Sequence, residues 1–209
     1  MHACRGTIYV FCLVLLTCSS GCIEKFYEKP ALPTETVTPT YTIQTESPIS
    51  TVSPSEMALQ KSDLPEGYFL RDRSVIPYEE EPKINRDLGW RQGYRVEFYR
   101  MNLGVDDLTG ITQTIGIYPL DNMNKLYSVE REALLQEESP IEKYEIPFPV
   151  IGDKSIAVRM TNPEDPYKVV TYTVLFENRN VFEKITMTGS TTDYEILKDI
   201  AKKASTQIR

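Results

Sequence analysis

The sequence has few of the residues on which most enzymatic and metal chemistry depends. His2 is the only histidine among the 209 residues, and all four cysteines lie within the first 22 residues. Ser-His-Asp and Cys-His nucleophilic systems therefore cannot be built in the remaining chain, and the usual His/Cys zinc sites are excluded with them. Because no disulfide can form beyond residue 22, the core of the remaining chain must be stable without one.

Other signals of function are missing as well. The ten glycines are scattered and form neither GxGxxG nor GxxxxGK[ST], so the sequence contains no ordinary phosphate-binding loop. No Asn-x-Ser/Thr sequon occurs. The formal net charge of −7 disfavours contact with phosphate backbones or anionic headgroups. We therefore expect no nucleic-acid partner, no cofactor and no metal ion.

The first 22 residues have the order of an export signal. A positively charged start is followed by an uncharged run over residues 8–18 and by small residues up to Gly21. That run is much shorter than the roughly 20 residues that cross a bilayer. The sequence therefore predicts a signal peptide over residues 1–21.

The residues Ser19-Ser20-Gly21-Cys22 resemble the lipobox of prokaryotic lipoproteins, although that family usually has leucine where Ser19 stands. The resemblance implies that Cys22 is acylated, becomes the mature N-terminus and tethers the protein to the outer face of the cytoplasmic membrane. Plain secretion and an uncleaved leader that acts as a short anchor are the alternatives.

Residues 22–54 are predicted to form a linker. Prolines and threonines are interleaved from residue 30 to residue 54, and such a composition favours an extended chain that buries no core. At roughly 3 Å per residue, about 30 residues could hold a domain up to about 90 Å from the membrane. The hydroxyl groups could carry O-linked sugar or remain unmodified.

Residues 55–209 are predicted to form one globular α+β domain. Its patterns indicate half-buried strands, a hairpin around the turn 177–180, and two amphipathic helices, the first capped by Asp121 and the second starting near Thr191 or Thr192. A polar loop is expected over 77–89. The predicted strands are 68–75, 94–99, 111–117, 144–146, 155–160, 169–176 and 181–187, and the first predicted helix ends near Glu137. This order predicts a single, mainly antiparallel sheet covered by two helices, as in an α/β/α sandwich.

Several turn and core positions carry a further resemblance. They are Leu64-Pro65-Glu66-Gly67-Tyr68, Trp90 with residues 94–98, Ile151-Gly152-Asp153, residues 176–181 and the terminal helix. In these positions the chain resembles membrane-tethered lipoprotein domains of archaea, those of methanogens especially. More distantly it is similar to the α/β/α sandwich of the extrinsic oxygen-evolving photosystem subunit and of the Ran-binding import factor. The resemblance implies a fold that hosts binding roles, and fold alone does not transmit function.

Carboxylates and aromatic residues are the remaining candidates for a site. The clusters Glu79-Glu80-Glu81, Asp106-Asp107 and Glu137-Glu138 lack the alternating spacing of a calcium loop and are expected to be solvated. Tyr78, Trp90 and Tyr94 border the polar loop and are candidate contacts for a ligand or partner. Alternatively, Trp90 and Tyr94 anchor that loop to the core.

Three functions remain open on this basis. The absence of reactive residues favours a non-enzymatic binding or interaction domain, whose partner would be an envelope protein or a surface polymer. A carboxylate-dependent hydrolase of surface glycans is the alternative, and it requires two acids in one cleft at about 5 to 10 Å. A purely structural spacer of the cell surface would show neither a cleft nor an aromatic patch.

Overall fold

The structure is a computed structural model that describes residues 50–102 and 107–209. The predicted signal peptide, Cys22, most of the predicted linker and Asp106 lie outside these residues. The helices are α1 (Pro54–Met57), α2 (Lys83–Asp87), α3 (Leu120–Leu135) and α4 (Tyr194–Gln207). The strands are β1 (Phe69–Ile76), β2 (Gln92–Asn102), β3 (Asp107–Ile117), β4 (Glu142–Ile146), β5 (Lys154–Thr161), β6 (Val170–Asn178) and β7 (Val181–Gly189).

In the part of the chain that the structure describes, the strands form one sheet of seven in the order β1-β2-β3-β7-β6-β5-β4. Every neighbouring pair is antiparallel. The long helices α3 and α4 pack into separate apolar clusters on the two faces of this sheet. The predicted fold class, an antiparallel α+β sandwich with helices over the sheet, is confirmed.

Helix α4 covers one face. Asp193 caps it, because the Asp193 carboxylate accepts hydrogen bonds from the backbone N–H groups of Glu195 and Ile196. The helix therefore begins two residues later than the sequence predicted. Its buried residues recur at helical spacing, as the sequence predicted, and they are Leu197, Ile200, Ala201 and Ala204.

Helix α3 covers the other face, and here the prediction was wrong in its details. Pro119 is the N-cap, and Asp121 lies inside the first turn, where its charge complements the helix dipole instead of capping. Met123 and Leu126 are the buried residues, whereas Ala133 is exposed. The sequence predicts an apolar stripe of Leu126, Val129, Ala133 and Leu134. Leu126 and Leu134 do pack into the cluster on this face, together with Met123 and Tyr127, whereas Ala133 does not.

The segment 77–89 is not an irregular loop. It contains a 3-10 turn, Tyr78–Glu80, and the short helix α2, with Pro82 at the N-cap of α2. Gly89 has a φ of 85° and follows the end of α2, a conformation that a residue without a side chain adopts readily. The chain then turns back on itself, because Trp90 N–H donates to the carbonyl of Asn85 at 3.1 Å.

The predicted hairpin joins β6 and β7 through Arg179 and Asn180, with Asn178 paired to Val181. The positive φ of 58° falls on Arg179 and not on Asn178 or Asn180, although asparagine tolerates such a φ more readily. Asn180 uses its side chain instead, since its Oδ1 accepts the Ser50 N–H at 2.7 Å. Ser50 is buried, so the folded part of the chain already includes residues that lie within the predicted linker.

Across residues 50–102 and 107–209, no helix is both long enough and apolar enough to cross a bilayer.

Candidate functional site

A pair of facing glycines lies in the sheet next to the candidate site, and one of them, Gly116, lines its cavity. Gly93 of β2 lies directly opposite Gly116 of β3. A Cβ atom on Gly93 would come within 3.2 Å of Cζ2 of Trp90, and one on Gly116 within 2.7 Å of Cε2 of Tyr118. The two aromatic rings therefore lie where side chains of the sheet would otherwise stand, and β-branched residues could not replace these glycines without moving the rings.

A cavity of about 250 Å³ opens beside these rings, between α2, α3 and the sheet. Trp90, Tyr118 and Phe182 supply its apolar walls. Its polar lining comes from α2, α3, three strands and the segments next to them: Glu80, Glu81, Asn85, Arg95, Thr114, Tyr118, Glu130 and Lys184. An apolar hollow with a few converging polar groups is the usual form of a small-molecule site.

Asn85 joins two of the carboxylates that line the cavity. Its Nδ2 donates to Oε1 of Glu81 at 2.7 Å and to Oε1 of Glu130 at 3.0 Å. Asn85 is 6% exposed, and its Oδ1 is buried without a hydrogen-bond partner among the described residues. A buried carbonyl oxygen without a donor costs free energy, so this atom marks a place where a ligand donor or water would be stabilised.

Two cations lie on the sheet floor of the cavity. Thr114 pairs with Arg95 on one side and with Lys184 on the other, so the three residues form one row across β2, β3 and β7. Lys184 Nζ is 3.9 Å from Oε2 of Glu130. The side chain of Arg95 forms no hydrogen bond or ion pair within residues 50–102 and 107–209. The guanidinium of Arg95 is therefore available to an anion.

The phenol of Tyr118 joins the hydrogen-bond network of Asn85, Glu81 and Glu130. Tyr118 Oη donates to Oε1 of Glu81 at 3.3 Å. Burial raises the pKa of Tyr118 well above its usual value, and the negative charges of Glu81 and Glu130 raise this pKa further. Tyr118 therefore stays protonated and acts as a donor at any physiological pH.

The three aromatic residues that the sequence singled out do not form one surface. Tyr78 and Trp90 lie together, with ring centroids 5.8 Å apart, but Trp90 is 8% exposed and Tyr78 is 54% exposed. Tyr94 packs against the cluster on the other face of the sheet, under α4. The burial of Trp90 supports the interpretation that it anchors the segment 77–89, and its indole also forms part of the cavity wall.

The predicted acidic clusters have different environments. Glu79, Glu80, Glu137 and Glu138 are exposed, as expected. The prediction was wrong for Glu81, which is only 9% exposed. Asn85 and Tyr118 donate hydrogen bonds to its carboxylate and so make its burial tolerable. No group of three or more His, Cys, Asp or Glu side chains in the described residues is arranged to hold a metal ion.

The residues that complete the cavity were missed from the sequence. Asn85, Arg95, Glu130 and Lys184 belong to four different elements, and only the sheet order brings them together. One signal was present. Arg95 and Lys184 each stand in the middle of a strand with strong alternation, where a long cationic side chain must lie on the face opposite the main core.

A second buried polar cluster lies on the other face, under α1 and α4. Glu183 Oε2 accepts from Gln113 Nε2 at 2.8 Å, and Gln113 Oε1 accepts the backbone N–H of Leu59 at 2.7 Å. Glu183 is fully buried, and burial raises its pKa to about 8, although the hydrogen bond from Gln113 opposes part of this rise. This cluster fixes the chain just after α1 and has no opening to solvent.

The fold has a counterpart among solved structures. No protein-family model matches this chain, and no similar curated protein was found. The chain is similar in structure to the extracellular domain of PknH from Mycobacterium tuberculosis, with a TM-score of 0.56 and 9% sequence identity. The match covers 78% of this chain and 98% of that domain. At this identity the likeness shows the fold alone.

Proposed function

We propose that this protein is an extracytoplasmic, membrane-anchored lipoprotein whose α+β domain binds a small ligand in the cavity between α2, α3 and the sheet. The observation that carries the binding function is Asn85, a nine-tenths-buried amide that lines the cavity and has an unpaired Oδ1. The free guanidinium of Arg95 in the same cavity supports it. Among the described residues, neither the Oδ1 of Asn85 nor the guanidinium of Arg95 has a partner, and a ligand could satisfy both.

The proposed extracytoplasmic location rests on the N-terminal sequence. The lipobox resemblance at Cys22 and the short apolar run before it support export and lipid attachment. The resemblance to archaeal membrane-tethered lipoprotein domains agrees with this location. The structural counterpart from PknH is also an extracellular domain, which adds support at the level of fold.

A carboxylate-dependent hydrolase is the second candidate, and one observation favours it. Glu81 and Glu130 both accept from the same Asn85 nitrogen, so their Oε1 atoms are no further apart than the sum of the two bond lengths, 2.7 and 3.0 Å. That separation is compatible with the roughly 5 to 5.5 Å of a retaining glycosidase. However, the amide of Asn85 occupies the space between the two carboxylates, where a scissile bond would have to lie. We therefore assign binding, without catalysis, to this cavity.

The two candidate functions, binding and hydrolysis, differ in whether a bound compound is recovered intact or cleaved. The full chain, purified in detergent, would be equilibrated with a small-molecule extract and with surface-glycan fragments, and the bound fraction identified by mass spectrometry. We expect a compound that is enriched on the wild type with its mass unchanged and is lost from Asn85→Ala. Asn124→Ala, which changes an exposed asparagine of α3, serves as the control and should retain it.

Turnover would contradict this assignment. If glycan fragments are shortened by the wild type and are stable with Glu81→Gln and with Glu130→Gln, the protein is a hydrolase. If nothing is enriched on the wild type, the cavity is not a binding site.

Cys22→Ala tests the proposed attachment to the membrane. The variant should leave the membrane fraction or accumulate as an unprocessed precursor, because acylation of Cys22 is the proposed attachment. Intact-mass measurement of the wild type should show a chain that begins at Cys22 with two acyl chains, since one chain gives only marginal binding. A mature N-terminus elsewhere and without lipid would show that the protein is not a lipoprotein.

A further inference from the structure

The inner side of the cavity is built to accept hydrogen bonds from a cation. The unpaired Oδ1 of Asn85 is an acceptor. The carboxylates of Glu81 and Glu130 are held beside it, because both accept hydrogen bonds from the Nδ2 of Asn85. Glu130 has a cation, Lys184, within ion-pair distance at 3.9 Å. Among the residues that the structure describes, the partners of the Glu81 carboxylate are the neutral donors Asn85 and Tyr118. A positively charged donor would therefore gain both hydrogen bonds and charge pairing here.

The floor of the cavity has the opposite character. Arg95 carries a charge that nothing within the described part of the chain neutralises, and Thr114 and Lys184 continue the same row of the sheet. A guanidinium presents parallel N–H donors that match the two oxygens of a carboxylate. The floor is thus suited to an anion, and a carboxylate matches the guanidinium of Arg95.

The size of the cavity limits the ligand. Its volume of about 250 Å³ is below the range of about 300 to 1,000 Å³ that drug-sized molecules occupy. An oligosaccharide or a peptide would not fit inside it. The aromatic walls of Trp90, Tyr118 and Phe182 can cover a short apolar side chain and can also face an ammonium group.

We propose that the ligand of this cavity is a free α-amino acid, held by its ammonium group at Asn85, Glu81 and Glu130 and by its carboxylate at Arg95. This inference rests on the proposed function, because it names the ligand class of the same cavity. An amino acid satisfies both charged sides of the cavity at once. A hydroxy acid would leave Glu81 without a cation, because only Glu130 has Lys184 beside it. A simple amine would leave Arg95 without an anion.

Isothermal titration of the purified full chain tests this assignment. The standard amino acids would be titrated first, and the tightest one then compared with its matched hydroxy acid and its decarboxylated amine. We expect each matched compound to bind the wild type about 10- to 100-fold more weakly, the range for one charged hydrogen bond. Arg95→Met should weaken the amino acid by the same factor and leave the amine unchanged. Arg91→Met changes an exposed arginine just before β2 and should have no effect.

The outcomes separate this inference from the proposed function. Equal affinity of the hydroxy acid would overturn the assignment of the ammonium group. If a monosaccharide binds, depends on Asn85 and Arg95, and no amino acid does, the cavity is a binding site of another class and the inference alone falls. If no probe binds, or if Asn85→Ala and Arg95→Met both bind as the wild type does, the inference and the proposed function fall together.

Discussion

The wild-type protein should lose stability as the pH rises from about 5 to about 8, and Glu183→Gln should abolish most of that loss. Glu183 is fully buried, and its pKa in the folded protein is raised from 4.5 to about 8. In the unfolded chain its carboxyl group is in water and ionises near the ordinary value. At a pH between this ordinary pKa and about 8, folding therefore requires the carboxylate of Glu183 to take up a proton.

The direction of the effect follows from proton linkage. Below pH 4.5 the group is protonated in both states, and its contribution to stability is fully present. As the pH rises towards about 8, only the unfolded state ionises, and the contribution is lost. At 1.36 kcal/mol for each pKa unit, the difference is on the order of 5 kcal/mol. Above about 8 both states ionise, and the loss ends.

Glutamine at position 183 keeps the shape of the side chain and can accept the same hydrogen bond from Gln113, but it does not titrate. Urea unfolding of the full chain at pH 5, 7 and 9 would give the free energy of unfolding for both proteins. The variant should be more stable than the wild type at pH 9 and similar at pH 5. Glu132→Gln, which changes an exposed residue of α3, is the control and should follow the wild type. Parallel pH profiles for Glu183→Gln and the wild type would mean that Glu183 ionises normally in the folded protein.

Trp90→Ala should lower the free energy of unfolding by about 3 to 5 kcal/mol, the range for truncation of a buried aromatic residue. The indole is 8% exposed and packs into the cluster under α2 and α3. It also covers Gly93, which has no side chain to fill the space that the indole would leave. The surrounding sheet cannot collapse into that space, so the cost should lie in the upper part of the range.

Urea unfolding followed by far-UV circular dichroism measures this loss, since the variant has no tryptophan. Tyr78→Ala is the matched control, because the Tyr78 ring touches Trp90 but is 54% exposed. It should cost less than about 1 kcal/mol. A change below about 0.5 kcal/mol for Trp90→Ala would show that Trp90 is a surface contact residue and not an anchor.

The fold was largely accessible from the sequence because its signals are local and periodic. The alternation in β2, β3, β6 and β7 and the apolar spacing in α4 each arise from one segment that covers one face. The errors occurred where tertiary contacts override local signals. Asp121 has the chemistry of a cap, but Pro119 occupies that position, and the Pro-rich composition of 77–89 concealed the short helix α2.

The site was not accessible in the same way. Its polar groups come from α2, β2, α3 and β7, and their meeting depends on the order β2-β3-β7, which no single segment encodes. The buried cluster of Glu183 and Gln113 on the other face is different, because both residues stand in phase with apolar residues of their strands. A polar residue at an inward position of an alternating strand is a signal of a buried hydrogen bond, and it could have been used.

Fluorescence of Trp90 tests the central claim, ligand binding in the cavity, most directly. Trp90 is the only tryptophan in the chain and forms part of the cavity wall. Titration of the full chain with free amino acids should give a saturable change in emission that Arg95→Met shifts to about 10- to 100-fold higher concentration and Arg91→Met leaves unchanged. Emission that stays constant with every amino acid and every monosaccharide, in wild type and variants alike, would contradict the claim that this cavity binds a ligand.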